Sequence, residues 1–330
     1  MPTSGTVAQT QISVETFIGH AFKRAGKLKS TIGGELLQDA REALYLLCSD
    51  MANDGINLWC LSKSVMNIEA NKIAYQLSVG SNDVVNALYR TLTTLPGTPV
   101  ASASAQTVDL TAAYAVDNVT GRFTAGGVAS LAIEYSLDGV TWVTLTTLQA
   151  VTVVLGAVFV IDLDDTAEAR YWRIRDTSGV LLGMNQVRFR KMNQEITMSK
   201  LNRDDYTNLP NKHYPGQRSL QFWFDKQIEP RVWVWPMSTQ ILDQIVIWCA
   251  TEIQDPGDLT NSLAVPTRWY EAVLSNLAHK VAFYIPPNEL PQGRLAELKT
   301  EATEAMIRAS NGESDGSPYQ LAPLIGAYTK

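Results

Sequence analysis

Acidic pairs are the residues of this sequence whose types and spacing come nearest to catalysis. The densest groups are Asp204-Asp205 and the set Asp162, Asp164 and Asp165. Two carboxylates held at a defined separation can hydrolyse a glycosidic bond. However, adjacent residues of a strand point to opposite faces, and Asp164-Asp165 lack the ligand spacing of a calcium loop. We therefore expect these acids to be solvated turn residues rather than a glycosidase pair or a calcium site.

The other residues that commonly do chemistry are few and scattered. The cysteines and histidines show no CxxC pair and no metal-ligand spacing: Cys48, Cys60, Cys249, His20, His213 and His279. Gly33-Gly34 and Gly126-Gly127 lack the pattern that surrounds a phosphate-binding loop. No serine lies in a nucleophile elbow. The sequence therefore predicts no enzyme, no metal site and no cofactor.

Composition and charge narrow the class of protein further. The chain has 330 residues with 45% hydrophobic and 18% charged residues, which is typical of about two folded domains. With 27 basic and 33 acidic residues the net charge is −6, which argues against a globally basic nucleic-acid binder. The longest apolar run, Val151–Ile161, is shorter than the ~18 residues of a membrane helix. The N-terminus shows no secretory signal. We expect a folded protein that is made inside the cell and does not enter a membrane.

A change of composition predicts two parts. Lysine is absent from Ile73 to Arg190, where small and β-branched residues dominate, and Leu95–Ala105 has the composition of a linker. The predicted fold class is α+β: a helical bundle with a small antiparallel β meander, plus an inserted all-β jelly-roll sandwich. The predicted domains are a helical core at 1–96 and 192–310, an inserted β-sandwich at 97–191, and an extended C-terminal arm at 311–330.

The elements of the predicted helical core are marked by periodicity and caps. Ser13 and Gly26 bound a first helix, and apolar stripes predict others over 36–51, 266–285 and 295–309. Ser81-Asn82-Asp83 favours a further short helix through Arg90. The stripes need only core packing to explain them.

The meander is predicted from alternating aromatic residues. Its strands are Ser219–Asp225, Arg231–Trp235 and Gln244–Ala250, with Trp233 and Trp235 on one face. Both faces are substantially apolar, so we expect one face to pack on helices. The other face would pack against another subunit or against the same chain; the sequence leaves both open.

Two further segments are candidate interfaces. The segment Tyr319–Tyr328 is apolar without helical or strand periodicity, and we expect it to dock on a partner. Its candidate contacts are Tyr319, Leu321, Leu324, Ile325 and Tyr328. The basic cluster is defined as Lys23, Arg24, Lys27 and Lys29. It either faces DNA or an acidic surface of a partner protein, or it is the solvated face of the first helix.

The predicted β domain carries a resemblance. The phrase YSLDGVTW at Tyr135–Trp142, followed by RYWRIRD at Arg170–Asp176, is similar to discoidin-type, galactose-binding-like jelly rolls. The matching framework positions are Ser136, Asp138, Gly139, Trp142 and Tyr171. In that family, loops at one end of the sandwich often bind sugars or lipid headgroups. No loop residue of this chain matches, so we expect Trp142 to be a core residue.

The remaining sequence resembles the head-to-tail adaptor proteins of short-tailed bacteriophages. The resemblance rests on an ordered series of segments: DYTNLPNK from Asp205, Gly216-Gln217-Arg218, FWFDKQIEP, VWVWP, and VPTRW from Val265. The segment Gly55–Trp59, earlier in the chain, matches as well. It implies a virion protein at the head–tail junction, in a ring of twelve copies between portal protein and tail nozzle protein. Packaged double-stranded DNA would be retained and later ejected through its channel without sequence-specific binding.

The resemblance also suggests what the interfaces do. Trp223, Trp233 and Trp235 would contact the portal or neighbouring copies, since tryptophan is a frequent interface anchor. The predicted insert is additional to the family's core, and we expect it to project outward toward a tail fibre, the capsid or a glycan. The alternatives are a carbohydrate-binding adhesin and a tail-associated cell-wall-degrading enzyme.

Overall fold

The computed structural model describes residues 12–28, 31–53, 60–69, 71–102, 105–163, 167–177, 183–240, 242–253, 257–263 and 265–312. Strands outnumber helices, so the part of the chain that the structure describes is mostly β, whereas the sequence predicted a helical bundle with a small meander plus an inserted sandwich. It divides into two compact units, the first formed by 1–61 with 251–330 and the second by 62–250.

The first unit is helical. Its helices are α1 (Val14–Ala25), α2 (Gly34–Asn53), α4 (Tyr270–Ala282) and α5 (Arg294–Asn311). They share one apolar core in which Ile18, Leu44, Val273, Leu277 and Leu298 are fully buried. The predicted helices of 1–53 and 266–312 are thus confirmed.

Helix α1 shows why these ends could be predicted. The Ser13 side chain accepts a hydrogen bond from the Thr16 backbone N–H, which is an N-cap. At the other end Gly26 adopts φ 99°, a left-handed conformation that favours glycine. Pro266 precedes a single 3-10 turn, Thr267–Trp269, that leads into α4.

The second unit contains nearly all of the strands and one short helix. The strands are β1 (Leu61–Asn67), β2 (Ala74–Gln76), β3 (Ser81–Thr94), β4 (Val100–Ala101), β5 (Ala105–Ala115), β6 (Asn118–Phe123), β7 (Gly127–Ser136), β8 (Val143–Val153), β9 (Val158–Asp162), β10 (Glu168–Asp176), β11 (Met184–Thr197), β12 (Ser199–Leu201), β13 (Pro215–Gly216), β14 (Gln221–Asp225), β15 (Arg231–Trp235), β16 (Met237–Ser238) and β17 (Gln244–Thr251). The helix α3 spans Arg203–Thr207.

Two sheets enclose the larger β core. A five-stranded sheet has the order β4-β5-β10-β7-β8, and a six-stranded sheet has the order β1-β17-β3-β11-β6-β9. Trp172, Ile133 and Leu110 from the first sheet meet Val119, Phe159 and Phe189 from the second in one buried cluster. This is a β-sandwich, the fold that the sequence predicted for 97–191.

The boundaries of the two units differ from the predicted domain boundaries. The predicted insert of 97–191 ends inside β11, which runs on to Thr197 and pairs with β3 over Arg190↔Thr94 to Thr197↔Leu88. The two strands share one hydrogen-bonded ladder that runs past the predicted boundary at 191, although the buried residues of 68–89 and those of 95–189 lie in two separate clusters. The predicted helix from Ser81 to Arg90 is wrong, since β3 supplies one side of this ladder.

A four-stranded sheet, β12-β14-β15-β2, contains the first two strands of the predicted aromatic meander, whereas the third, Gln244–Ala250, lies in β17 of the six-stranded sheet. Its inner face is buried against strands of the six-stranded sheet, where Phe222, Phe224 and Val234 meet Tyr89 and Ile247. The expectation that this face packs on helices is therefore wrong. The inner face packs on β3 and β17 of the six-stranded sheet instead. Within the four-stranded sheet, β15 pairs with β2, which lies more than 150 residues earlier in the chain.

Candidate functional site

The outer face of the four-stranded sheet carries a group of aromatic side chains that we call the aromatic surface. Its members are Tyr206, Tyr214, Trp223, Trp233 and Trp235. Trp223 on β14 lies directly opposite Trp233 on β15, and their rings stack with centroids 6.2 Å apart. Tyr206 from α3 stacks on Trp223 at 5.1 Å, so three rings form one continuous group.

The second part of the aromatic surface lies two residues further along β15. Trp235 is on the same face as Trp233 because strand side chains alternate. Its indole Nε1 donates to the Asn211 carbonyl at 2.9 Å, and Tyr214 packs beside it with ring centroids 6.2 Å apart. The segment 208–214 is therefore held against the end of β15.

Burial differs between the two faces of this sheet. Phe222, Phe224, Val232 and Val234 on the inner face are buried, whereas the three tryptophans are partly exposed. Tyr214 is 53% exposed. Large amphipathic rings held rigidly at a surface bury much area on association at little entropic cost, which is the usual character of an interface anchor.

Two polar atoms within the aromatic surface are buried without partners. Neither the Tyr206 hydroxyl nor the Trp233 Nε1 hydrogen-bonds to a described residue. Burial also raises the pKa of Tyr206 above its ordinary value. An unsatisfied buried polar group costs about 1–3 kcal/mol, so this packing is not optimised for the stability of an isolated chain.

A hairpin tip borders the aromatic surface. The turn between β14 and β15 holds Ile228, whose side chain is 88% exposed. A groove of about 700 Å³ runs from this turn to Trp233 and is lined also by Asp225 and Arg231. The groove adds apolar and charged groups to the same side of the second unit.

Sequence reasoning found only part of the aromatic surface. The three tryptophans were predicted by their alternation, but Tyr206 and Tyr214 were not singled out. The signal for Tyr206 was Asn202, a helix N-cap just before the turn that carries this tyrosine. Tyr214 follows two residues after the DYTNLPNK segment. Trp269 of the same resemblance lies in the helical core of the first unit and is 1% exposed.

The basic cluster is largely neutralised by acids of its own unit. Arg24 makes a bidentate ion pair with Glu271, with both distances 2.8 Å, and also donates to Ser275. Lys27 pairs with Glu289 at 3.2 Å. Lys23 is exposed, and Lys29 lies outside the described residues. The two paired side chains thus hold α1 to α4 and to the turn that precedes α5.

The candidate contacts of the C-terminal arm cannot be placed in the fold. Tyr319, Leu321, Leu324, Ile325 and Tyr328 all lie outside the described residues, as does the Gly55–Trp59 segment of the adaptor resemblance. Their proposed contacts stay predictions.

The acidic residues considered for catalysis have structural surroundings. Asp204 and Asp205 are exposed in the first turn of α3, where the Asn202 side chain accepts from the Asp205 N–H. Asp162 pairs with Lys63 and Arg90, and Asp164 and Asp165 are outside the described residues. Among the described residues, no group of three or more His, Cys, Asp or Glu side chains is placed so that it could hold a metal ion. No helix of the described residues is both long and apolar enough to cross a membrane.

The framework residues of the β-sandwich resemblance form a tight turn. The Asp138 carboxylate accepts from the Val140 and Thr141 N–H groups at 2.8 Å each, and these bonds lower its pKa. Ser136 donates to the same carboxylate. Trp142 is not a core residue as expected: it is partly exposed, with the Arg173 guanidinium 4.1 Å above its ring.

Comparison with known proteins gives a limited result. No family model matches the chain, and no curated protein matches it. Among solved structures, the module CBM32-1 of a family 31 glycoside hydrolase from Clostridium perfringens is 17% identical, covering 40% of this chain and 94% of the module, with a TM-score of 0.24. A chitosan-binding module 1 from Paenibacillus sp. IK-5 is 20% identical over 36% of this chain and 99% of the module, with a TM-score of 0.21. At such TM-scores the similarity carries no conclusion about function.

Proposed function

We propose that this chain is a subunit of a head-to-tail adaptor ring of a short-tailed bacteriophage, lying between the portal and the tail nozzle. In this role it retains packaged DNA and leaves a channel for its ejection. The ring is made of identical copies, twelve by the family resemblance. The β-sandwich of each copy contacts a tail fibre, the capsid or a glycan.

The observation that carries the proposal is the aromatic surface. The segments that gave the adaptor resemblance, DYTNLPNK, FWFDKQIEP and VWVWP, are the ones that build it. Its tryptophans are partly exposed although the opposite face of the same strands is fully buried. A set of stacked rings at a surface, beside an exposed Ile228, supports a role in contact with other subunits.

Charge supports the conduit role. Tight electrostatic binding of duplex DNA requires many lysine or arginine contacts to phosphate, and this chain has a net charge of −6. In the basic cluster, Arg24 and Lys27 are already paired with acids. A subunit of this charge would let DNA slide rather than hold it.

The proposal is tested by co-sedimentation of the purified full-length chain with portal rings. We expect the wild-type chain to sediment with the portal, and the double variant Trp223→Ala/Trp233→Ala to remain in the supernatant. Trp248→Ala is the matched control, because Trp248 is 38% exposed on β17, outside the aromatic surface. Equal sedimentation of the double variant and the wild type would contradict the role of the aromatic surface.

A further inference from the structure

The six-stranded sheet curls until its two edge strands lie beside each other. Strands β1 and β9 are at opposite ends of the strand order, yet Lys63 of β1 and Asp162 of β9 form an ion pair at 2.5 Å. One face of β6, β9 and β11 packs into the sandwich core. The other face looks into the curl, where side chains from distant strands meet.

Three arginines converge on this inner side of the curl, in what we call the arginine groove. Arg122 lies on β6, and Arg188 and Arg190 lie two residues apart on the paired strand β11. With Thr120 and Gln186 they line a groove of about 350 Å³. A cavity of this size is typical of a site for a small molecule.

Two of the three arginines of the groove have no acid beside them among the described residues. Arg122 and Arg188 are exposed, and neither has a hydrogen bond or ion pair with another described residue. Glu69, the one carboxylate among the described residues of the lining, is paired with Lys72 at 2.5 Å. The groove therefore presents a local positive field on a chain whose net charge is −6.

Arg190, which is buried beneath the arginine groove, adds to this positive field. It is 3% exposed, and its guanidinium donates to the Asn118 Oδ1 at 2.7 Å, the Leu242 carbonyl at 2.6 Å and the Asn67 Oδ1 at 3.2 Å, all neutral acceptors. Burial, followed by repulsion from Arg188, lowers the pKa of Arg190 to about 10 although Asp243 opposes the shift. Burying a cation without a hydrogen-bonded carboxylate is costly, and an anion nearby would offset that cost.

We propose that the arginine groove binds a small molecule bearing an oxyanion, a carboxylate or a phosphate, on a body the size of one sugar or nucleotide. Arg122 and Arg188 contact the oxyanion through their guanidinium forks, which match the geometry of both groups. Thr120 and Gln186 supply hydrogen bonds to the rest of the molecule, and Val158, 52% exposed, gives it an apolar contact. Three arginines in a groove of this size suit a small anion better than duplex DNA, which needs a longer row of cations.

The test is a calorimetric titration of the full-length chain with glucose 6-phosphate and with glucuronate, using glucose as the neutral control. We expect at least one of the two anions to bind and glucose not to bind. Arg188→Gln and Arg122→Gln should each weaken the binding by about tenfold or more, since each removes a charged hydrogen bond. Arg203→Gln, a substitution at an exposed arginine of α3, should leave it unchanged.

The two anions distinguish phosphate from carboxylate as the preferred group, and either answer supports the proposal. The proposal is overturned if neither anion binds, if glucose binds equally well, or if only duplex DNA binds in an arginine-dependent way. Thermal unfolding of Arg188→Gln separates loss of binding from loss of folding. It should occur at the wild-type temperature or above it, because the substitution removes repulsion from Arg190.

Discussion

Single tyrosines show how unevenly the second unit satisfies its polar groups. The Tyr89 hydroxyl is hydrogen-bonded: it lies 2.8 Å from the Asp243 Oδ2 and 2.9 Å from the Ser238 Oγ. Tyr206 is as deeply buried, at 4% exposure, but its hydroxyl has no partner among the described residues. The first tyrosine belongs to the core and the second to the aromatic surface.

This contrast predicts opposite effects for the same substitution. Tyr206→Phe keeps the stack on Trp223 and removes an unsatisfied hydroxyl, so the free energy of unfolding should stay the same or rise by up to about 1 kcal/mol. Tyr89→Phe leaves a buried carboxylate oxygen without its donor and should lower the free energy of unfolding by about 2 kcal/mol. Urea titrations followed by tryptophan fluorescence measure both. Destabilisation by Tyr206→Phe of the size seen for Tyr89→Phe would contradict the assignment of these partners.

At the scale of elements, the closing of the six-stranded sheet depends on one acid. Asp162 at the end of β9 accepts from Lys63 of β1 and from Arg90 of β3. Arg90 also pairs with Glu195 of β11 at 2.6 Å. Burial alone would raise the pKa of Asp162, but the hydrogen bonds from Lys63 and Arg90 outweigh it, and the pKa is lowered.

The sign of this shift fixes the pH dependence. A carboxyl whose pKa is lower in the folded state stabilises the fold at pH values above its unfolded pKa, about 3.9 for aspartate, and that contribution disappears as the pH falls further. Asp162→Asn should therefore lower the free energy of unfolding by about 3 kcal/mol at pH 7.

The difference in the free energy of unfolding between wild type and Asp162→Asn should shrink below about pH 4, because the wild-type carboxyl then begins to take up a proton and loses its charge. Urea titrations at pH 7 and pH 3 measure the two differences. Asp204→Asn, at an exposed site, is the control and should change the free energy of unfolding by less than about 0.5 kcal/mol at either pH. A difference for Asp162→Asn that stays constant between the two pH values would contradict the ion-pair account.

Elements with local signals were predictable, and those set by distant pairing were not. Helix α1 could be placed to the residue because Ser13 and Gly26 supply caps within one segment. Strand β3 was mistaken for a helix because Ser81-Asn82-Asp83 looks like a cap, while its partner β11 lies about a hundred residues later. The alternation of Trp233 and Trp235 along one strand showed that they share a face, but not that Tyr206 would pack on Trp223.

The arginine groove was beyond sequence reasoning for the same reason. Arg122 and Arg188 are far apart in the chain and are brought together only by the pairing of β6 with β11. A bulge between Asn185 and Arg188 sets which side chains of β11 face the groove. Such a shift of register has no local signature in the residues themselves.

At the scale of the whole molecule, a helical unit and a larger β unit are joined in one acidic chain. The described residues include the aromatic surface and the arginine groove, for which we propose protein contact and the binding of a small anion. Of the acids considered for catalysis, Asp204 and Asp205 lie in the first turn of α3, and Asp162 lies in ion pairs. We propose that the chain works as one of several identical copies around a channel. The apolar C-terminal segment Tyr319–Tyr328 remains a predicted contact with the portal or with a neighbouring copy.

Deletion of the residues after Asn311 tests that contact separately. We expect the truncated chain to fold, since α5 ends at Asn311, and to sediment with portal rings less well than the full-length chain. Circular dichroism verifies the fold. Unchanged sedimentation would remove the C-terminal segment from the interface.

The most direct test of the central claim is electron cryomicroscopy of the full-length chain mixed with purified portal rings. The account predicts end views with a closed ring of added density, twelvefold by the family resemblance, and an open channel at its centre. It also predicts that the aromatic surface lies at a contact between copies or with the portal. Portal rings without added density, or bound copies with Trp223 and Trp233 facing solvent, would contradict it.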